Sequence, residues 1–403
     1  MTAPSVSRTS APRTRGWGTA LAGRPAWVIV LGIYLASRIF STAVLLSSYA
    51  MVGDRPWPVA SSPTHRDFFR FSAVWDGTYY RHIAVDGYPA TLPLDGNGFV
   101  NPNAWAFLPV FPWLTRGVMT VTGLGFDPAG VLVAVVFGAV AALALFRLLQ
   151  PRTGRTPALW AVTLFCFGPM AFVLQLAYAE SIFLALLFCG LVALVRRHYL
   201  ALLLFGVVAS FTRPGALALA VALGVHVIIR LRSAEPFPVA ARVRAVAAGV
   251  GIVLAGLAWP VIAGLATGQP DAYLQTEMAW WAKLIDRGGF VPLSPWFLLA
   301  GRYLGVLGII LVIAIAAAFV WFVSRRSTRT IGPDALAFTS SYALYIFAVF
   351  LPQQSVFRIF LPLAPLLGSP VFTGGRRRRW IWLAGCLVLQ PLAVGVLWFS
   401  SFP

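Results

Sequence analysis

The stretch Trp75-Asp76-Gly77-Thr78-Tyr79-Tyr80-Arg81-His82-Ile83-Ala84-Val85-Asp86-Gly87-Tyr88-Pro89 is the most polar segment of an otherwise apolar chain. It sets a carboxylate beside aromatic rings and an imidazole. An Asp within hydrogen-bond reach of an acceptor hydroxyl acts as a general base, which makes Asp76 the candidate catalytic residue. His82 donates to a phosphate or, when neutral, shuttles a proton. Trp75, Tyr79, Tyr80 and Tyr88 offer flat faces for stacking a sugar or lining a lipid chain. Three more ionisable residues stand at the ends of apolar runs: Glu180 in Tyr178-Ala179-Glu180-Ser181, Arg213 in Thr212-Arg213-Pro214, and Arg358 after Pro352-Gln353-Gln354-Ser355. Arg pairs bidentately with phosphate, stays charged, and stabilises a phosphate that leaves. Charged groups near membrane depth are costly to keep and so are functional candidates.

Each candidate also has a purely structural use. Asp76 can cap a loop helix. Glu180 can serve simply to pair with Arg213, and Arg213 and Arg358 can anchor at headgroups by snorkelling. Asp86, in Asp86-Gly87-Tyr88-Pro89, reads as a turn residue. Arg38, inside the first apolar run, pairs with an acid or faces a cavity. His226 reads as a satisfied buried histidine.

The elements that must position these residues follow from composition. The 403 residues are 59% hydrophobic and 11% charged, against about 25% charged for a soluble domain. The chain is therefore an all-α polytopic membrane protein, since long apolar runs satisfy their backbone in a bilayer as helices. About eleven runs approach the roughly 20 residues a span needs: 27–51, 128–149, 157–177, 179–195, 199–212, 214–229, 245–266, 303–324, 334–351, 357–373 and 380–400. This set places every arginine cluster on one side, the cytoplasmic one by the positive-inside rule. Those clusters are the N-terminal tail, Arg147 to Arg155, Arg196 and Arg197, Arg230 to Arg244, Arg325 to Arg329, and Arg376 to Arg379. Asp54, Asp67, Asp76, Asp86, Asp95, Asp127, Glu180, Asp271, Glu277 and Asp286 then lie outside; Glu235 and Asp334 lie inside.

Residues 1–26 read as a disordered cytoplasmic tail and 27–403 as a single membrane domain. Two large outer loops emerge: 52–127, which holds the candidate base, and 267–302, with Tyr273, Glu277, Trp280, Trp281, Lys283, Asp286 and Trp296. Their aromatic parts suit the headgroup level. The run 104–122, broken by prolines, suits an interfacial or re-entrant piece. The net charge of +19 comes in short clusters between apolar runs, which speaks for topology and anionic headgroups rather than nucleic acid. Cys166, Cys189 and Cys386 are scattered in apolar segments, with no disulfide or zinc pattern. A P-loop, Asp-x-Asp, Gly-x-Ser-x-Gly and His-Glu-x-x-His are all missing from the sequence, which argues against an ATP-driven pump, a metal-dependent nucleotide-sugar transferase and common hydrolases. An outward-facing transferase would need a lipid-linked donor, and basic groups near the outer boundary fit a lipid phosphate.

At these residues the chain resembles the PIG-V family, which comprises GPI mannosyltransferase 2 and its bacterial relatives. Trp75-Asp76, Tyr79 or Tyr80, His82-Ile83-Ala84, Gly87-Tyr88 and Ala106-Phe107-Leu108-Pro109-Val110-Phe111-Pro112 resemble its first-loop signature. Ala177-Tyr178-Ala179-Glu180-Ser181-Ile182-Phe183 and Thr212-Arg213-Pro214 resemble two further motifs, in order, over residues 70–220. The chain departs from the family between Pro89 and Gly96, which is longer and proline-bearing, with Asp95 a loose counterpart of an acid. Of 31 basic residues only Lys283 is Lys, which suggests a GC-rich genome and is compatible with an actinobacterial one.

The resemblance implies a GT-C glycosyltransferase with its site on the non-cytoplasmic face of the cell membrane. It implies transfer of mannose from a polyprenyl-phosphate donor, by inverting single displacement, to a glycolipid, glycan or protein acceptor. No metal and no cofactor beyond that lipid-linked co-substrate are implied. Asp76 takes the place of the catalytic acid residue, and Glu180 and Arg213 fall on motif positions. Trp75, Tyr79, Tyr80, His82, Glu180, Arg213 and Arg358 are the expected substrate contacts. The rival class is a transporter or flippase for a phosphate-bearing lipid or glycolipid; inverted repeats or helices broken near the midplane would mark it. A third class is an assembly protein that kept the fold and lost activity.

Overall fold

Glycine and proline decide which apolar runs stay continuous. The computed structural model describes residues 24–52, 67–282, 284–285 and 289–398. The expectations for the tail before Arg24 and for Asp54, Lys283 and Asp286 lie outside these residues. The described chain is helical; no strand occurs among the described residues, and one isolated antiparallel bridge joins Leu94 to Val100. The main helices are α1 (Ala26–Val52), α2 (Asp76–Val85), α3 (Val110–Thr122), α4 (Phe126–Thr153), α5 (Arg155–Phe167), α6 (Glu180–Val195) and α7 (Tyr199–Ser210). They continue with α8 (Leu217–Arg232), α9 (Val239–Thr267), α10 (Ala272–Trp281), α11 (Pro295–Ser324), α12 (Pro333–Val349) and α13 (Arg376–Ala393).

Five of these, α1, α4, α9, α11 and α13 with its continuation to Trp398, are long and apolar enough to cross a bilayer. The sequence predicts about eleven spans, several of them short; α11 kinks at Gly305 (φ 58°, ψ −138°), and two other runs are broken. Run 157–177 ends as an α-helix at Phe167, where Gly168 turns extended before Pro169, as a residue preceding proline must. A 3-10 turn, Ala171–Gln175, follows. Run 357–373 is cut by Pro362, Pro365 and Pro370 into the pieces Val356–Ile359, Leu361–Gly368 and Pro370–Thr373. Non-helical backbone at membrane depth survives only where protein buries it. Residues 171–175 are all buried, and the piece 361–368 packs against α5.

Arg38 explains how the first break is tolerated. Its guanidinium lies buried on α1 and donates to the Ala171 carbonyl at 2.9 Å, the Cys166 carbonyl at 3.1 Å and Gln175 Oε1 at 3.2 Å. The cation thus takes up carbonyls that a broken helix leaves without partners, rather than pairing with an acid. His226 is buried as expected, with Nε2 at 3.2 Å from the Tyr199 hydroxyl and Nδ1 at 2.9 Å from Asp334.

The core is built mainly where α4 packs on α6, with α7, α9, α8 and α12 adding to it. Leu145, Leu149, Leu187, Phe188 and Leu191 are fully buried there. α3 is 13 residues long, or about 20 Å, too short for a hydrocarbon core of about 30 Å. It lies on α2 and α4 with Phe111 and Thr115 inward and Trp113 and Val121 exposed. Aromatic rings of the first long loop pack on one another and on α9. Tyr88 stacks on Trp105 at 4.6 Å, and Trp259 donates its indole N–H to the Trp105 carbonyl at 3.0 Å.

Candidate functional site

Asp76 is the first residue of α2, and the backbone that delivers it is strained. Trp75 has φ 58° and ψ −119°, a conformation bulky residues avoid and keep only when the surroundings over-determine it. Three long-range hydrogen bonds do so here. The Ala177 N–H donates to Ser72 O at 3.0 Å, the Tyr178 hydroxyl to Val74 O at 3.1 Å, and the Trp75 indole to Trp398 O at 3.3 Å. The chain that follows the 3-10 turn is therefore bonded directly to the one that launches Asp76.

Glu180 begins α6, in its first turn, where the helix dipole favours a carboxylate. Arg213 sits in the turn between α7 and α8. Arg358 lies in the short helix Val356–Ile359 within the second broken run. These four residues, far apart in sequence, meet. Arg358 Nη1 is 2.6 Å from Asp76 Oδ2 and 2.8 Å from Glu180 Oε1, and Arg213 Nη1 is 2.7 Å from the same Glu180 oxygen. The Arg358 guanidinium also stands 5.2 Å over the Tyr178 ring. Glu180 and Arg358 are 4% and 6% exposed, so the ion pairs act in a medium that screens them little.

The two carboxylates and two guanidiniums balance in charge, but their hydrogen bonding is incomplete. Glu180 Oε2 and Arg358 Nε are buried with no hydrogen-bond partner among the described residues. Each arginine uses only Nη1 on a carboxylate. Buried polar groups are nearly always satisfied, and here one acceptor and one donor are left over.

Tyr79 and Tyr80 flank the cluster on α2. Tyr80 is buried, with its ring edge-on to Phe107 at 5.2 Å and to Phe111 at 5.0 Å. Burial pushes its phenol well above the usual range, which suits packing rather than proton transfer. Tyr79 is half-buried and stacks on Phe107 at 4.7 Å. Two expected contacts are not brought to the cluster. Trp75 is buried among Phe71, Met170, Phe172 and Trp398, where its ring supports the strained turn. His82, six residues after Asp76 and about 240° around the helix, is exposed and pairs with Asp86 at 3.5 Å. Residues that the sequence did not single out for a role also border the site. They are Tyr178 under Arg358, Tyr342 and Tyr345 beside Gly215, and Tyr273 with Glu277 on α10.

Gly215 holds Arg213's turn at φ +104°, and a Cβ there would stand 2.8 Å from Tyr342 and 2.9 Å from Tyr345. Gly215→Ala is expected to cost about 1–3 kcal/mol from the backbone alone, and to displace the two rings with Arg213. A thermal unfolding midpoint at the wild-type value would contradict that placement.

No family model matches the chain, and no curated protein matches it. Among solved structures it is similar to an oligosaccharyltransferase of Archaeoglobus fulgidus, solved with zinc and sulfate, at 13% identity and TM-score 0.47. That alignment covers 94% of this chain and 54% of the other. It is also similar to ArnT of Cupriavidus metallidurans, solved bound to undecaprenyl phosphate, at 16% identity and TM-score 0.43, over 89% of this chain and 60% of that one. The chain thus spans 54% to 60% of the length of these two structures.

Proposed function

We propose that this chain is a GT-C glycosyltransferase that moves a sugar, mannose by the PIG-V resemblance, from a polyprenyl phosphate to a hydroxyl acceptor on the extracytoplasmic face. The observation that carries the proposal is the buried junction of Asp76, Arg358, Glu180 and Arg213, with Arg358 Nε left without a partner. The acceptor oxygen attacks the anomeric carbon while Asp76 takes its proton. The bond from that carbon to the phosphate oxygen breaks, and the electron pair leaves with polyprenyl phosphate. Arg213 and Arg358 hold the phosphate through nitrogens not spent on Glu180, as guanidinium forks do. Glu180 keeps the two cations side by side before the donor arrives. Attack opposite the leaving group inverts the anomeric centre.

Radiolabelled polyprenyl-phosphate-mannose given to the protein in liposomes tests this. Transfer of label into a lipid, glycan or protein fraction, with release of polyprenyl phosphate, is the expected result. One observation favours the flippase alternative: Arg358 of the cluster lies in an apolar run broken into short helical pieces. A flippase would move intact donor between leaflets and release no polyprenyl phosphate.

A further inference from the structure

The four-residue cluster leaves one acid of the same neighbourhood unused, and it sits on α10. Tyr273 and Glu277 are four residues apart and share a helix face, with Thr276 and Trp280 beside them. Contacts with the first long loop fix that face. Asn103 Nδ2 donates to Thr276 Oγ1 at 3.0 Å. Trp280 meets Tyr79 edge-on at 5.5 Å and Phe107 at 6.1 Å, and Tyr79 stands one turn beyond Asp76 on α2. From the other direction, Tyr345 lies against Gly215 beside Arg213 and is coupled electrostatically to both Glu277 and Arg213. Glu277 stands one helical turn from Tyr273 and lies within the fields of Arg213 and Asp76. These contacts set it beside the cluster while leaving it outside the ion-pair network. Asp76 and Glu180 each hold an arginine; Glu277 forms no ion pair among the described residues.

We propose that Glu277 is the acceptor-binding acid of this site. Its ionised carboxylate, with the Tyr273 hydroxyl beside it, takes hydrogen bonds from adjacent hydroxyls of a polyhydroxylated acceptor and presents one of them towards Asp76. This deepens the transferase proposal and rests on it. A carboxylate without a cation partner has both oxygens available to hydroxyl donors. The half-buried rings of Tyr79 and Trp280 offer apolar faces for the C–H surface of a sugar.

The geometry has a pH signature. Burial raises the Glu277 carboxyl to about 7, against the pull of Tyr273 and of Arg213, while Asp76 pushes it further up. The groups facing it are Tyr273 on its own helix, Asp76 from α2, Arg213 from the α7–α8 turn and Tyr345 from α12. α9, which packs on α10, carries only Arg242 and Arg244, at its far end, and the packed turn Ala104–Ala106 carries no titratable group. Below about 7 the carboxyl is protonated and one of its acceptor oxygens is spent; above it both accept. Acceptor affinity therefore rises as pH passes through 7.

Calorimetric binding of mannobiose to the full chain in nanodiscs, at pH 6 and pH 8.5, tests this without requiring turnover. Wild type is expected to bind about tenfold more tightly at the higher pH, the change in ionised fraction across that interval. Glu277→Gln is expected to bind weakly and equally at both, while Glu277→Asp keeps the pH dependence. Wild-type binding indifferent to pH would overturn the proposal, as would Glu277→Gln binding like wild type at pH 8.5, or no mannobiose binding at all. Release of polyprenyl phosphate from donor in the same nanodiscs reports separately on the transferase itself, so the two failures are distinguishable.

Discussion

Asp76→Asn is expected to lower kcat/KM for sugar transfer by about 10³-fold, within the range a general base contributes, or about 4 kcal/mol of transition-state stabilisation. The substitution keeps the side-chain shape, so the strained turn at Trp75 and its three hydrogen bonds persist. Arg358 keeps its 2.8 Å bond to Glu180. What disappears is the negative charge 2.6 Å from Arg358 and the capacity to accept a proton. Affinity for polyprenyl phosphate is therefore expected to stay within about threefold of wild type. Steady-state transfer beside equilibrium binding of polyprenyl phosphate separates the two. A variant that loses binding and transfer together would make Asp76 a structural partner of Arg358 instead.

Glu180→Gln is expected to have the largest effect on stability. Glu180 Oε1 accepts from both Arg213 and Arg358 and is almost fully buried. Removing its charge leaves two desolvated cations, of which Arg358 keeps its ion pair with Asp76 and Arg213 loses the one it makes with Glu180. Breaking a buried ion pair by neutralising one partner costs about 3–5 kcal/mol. The same change lets the guanidiniums move apart, so KM for the lipid-phosphate donor is expected to rise by at least about tenfold. The double variant Glu180→Gln with Arg213→Met is expected to be less unstable than the sum of its parts, with about 0.5–3 kcal/mol of coupling. Thermal unfolding of the singles and the double measures this. Strict additivity would contradict the shared-oxygen geometry.

The charged members of the site were legible in the sequence for two reasons. Glu180, Arg213 and Arg358 stand at the ends of apolar runs, where charge is costly to keep, and Asp76 lies in the most polar segment of the chain. Their meeting was not legible. It depends on a positive φ at Trp75, on a 3-10 turn after Gly168-Pro169 and on a positive φ at Gly215, none of which has a periodic signature. Hydropathy also overcounted continuous spans, because it weighs apolar content and is blind to whether the helix continues. Pro169, Pro362, Pro365 and Pro370 were the available correction.

The placements of Trp75 and His82 turn on helix phase. With α2 starting at Asp76, the residue six positions on faces away, and the one before it lies outside the helix altogether. For Glu277 a signal did exist: a Tyr and a Glu four residues apart in an aromatic-rich loop. What the sequence withheld is that α10 folds back onto Asn103, Tyr79 and Phe107.

In the proposed reaction the Asp76 cluster separates a sugar from a lipid phosphate. A donor labelled with tritium in the sugar and carbon-14 in the polyprenyl chain, bound to excess protein for a single turnover, tests it most directly. Wild type is expected to part the two labels, while Asp76→Asn binds the donor equally and leaves them together. Labels that stay together on wild type supplied with acceptor, or that part equally fast on Asp76→Asn, would contradict it.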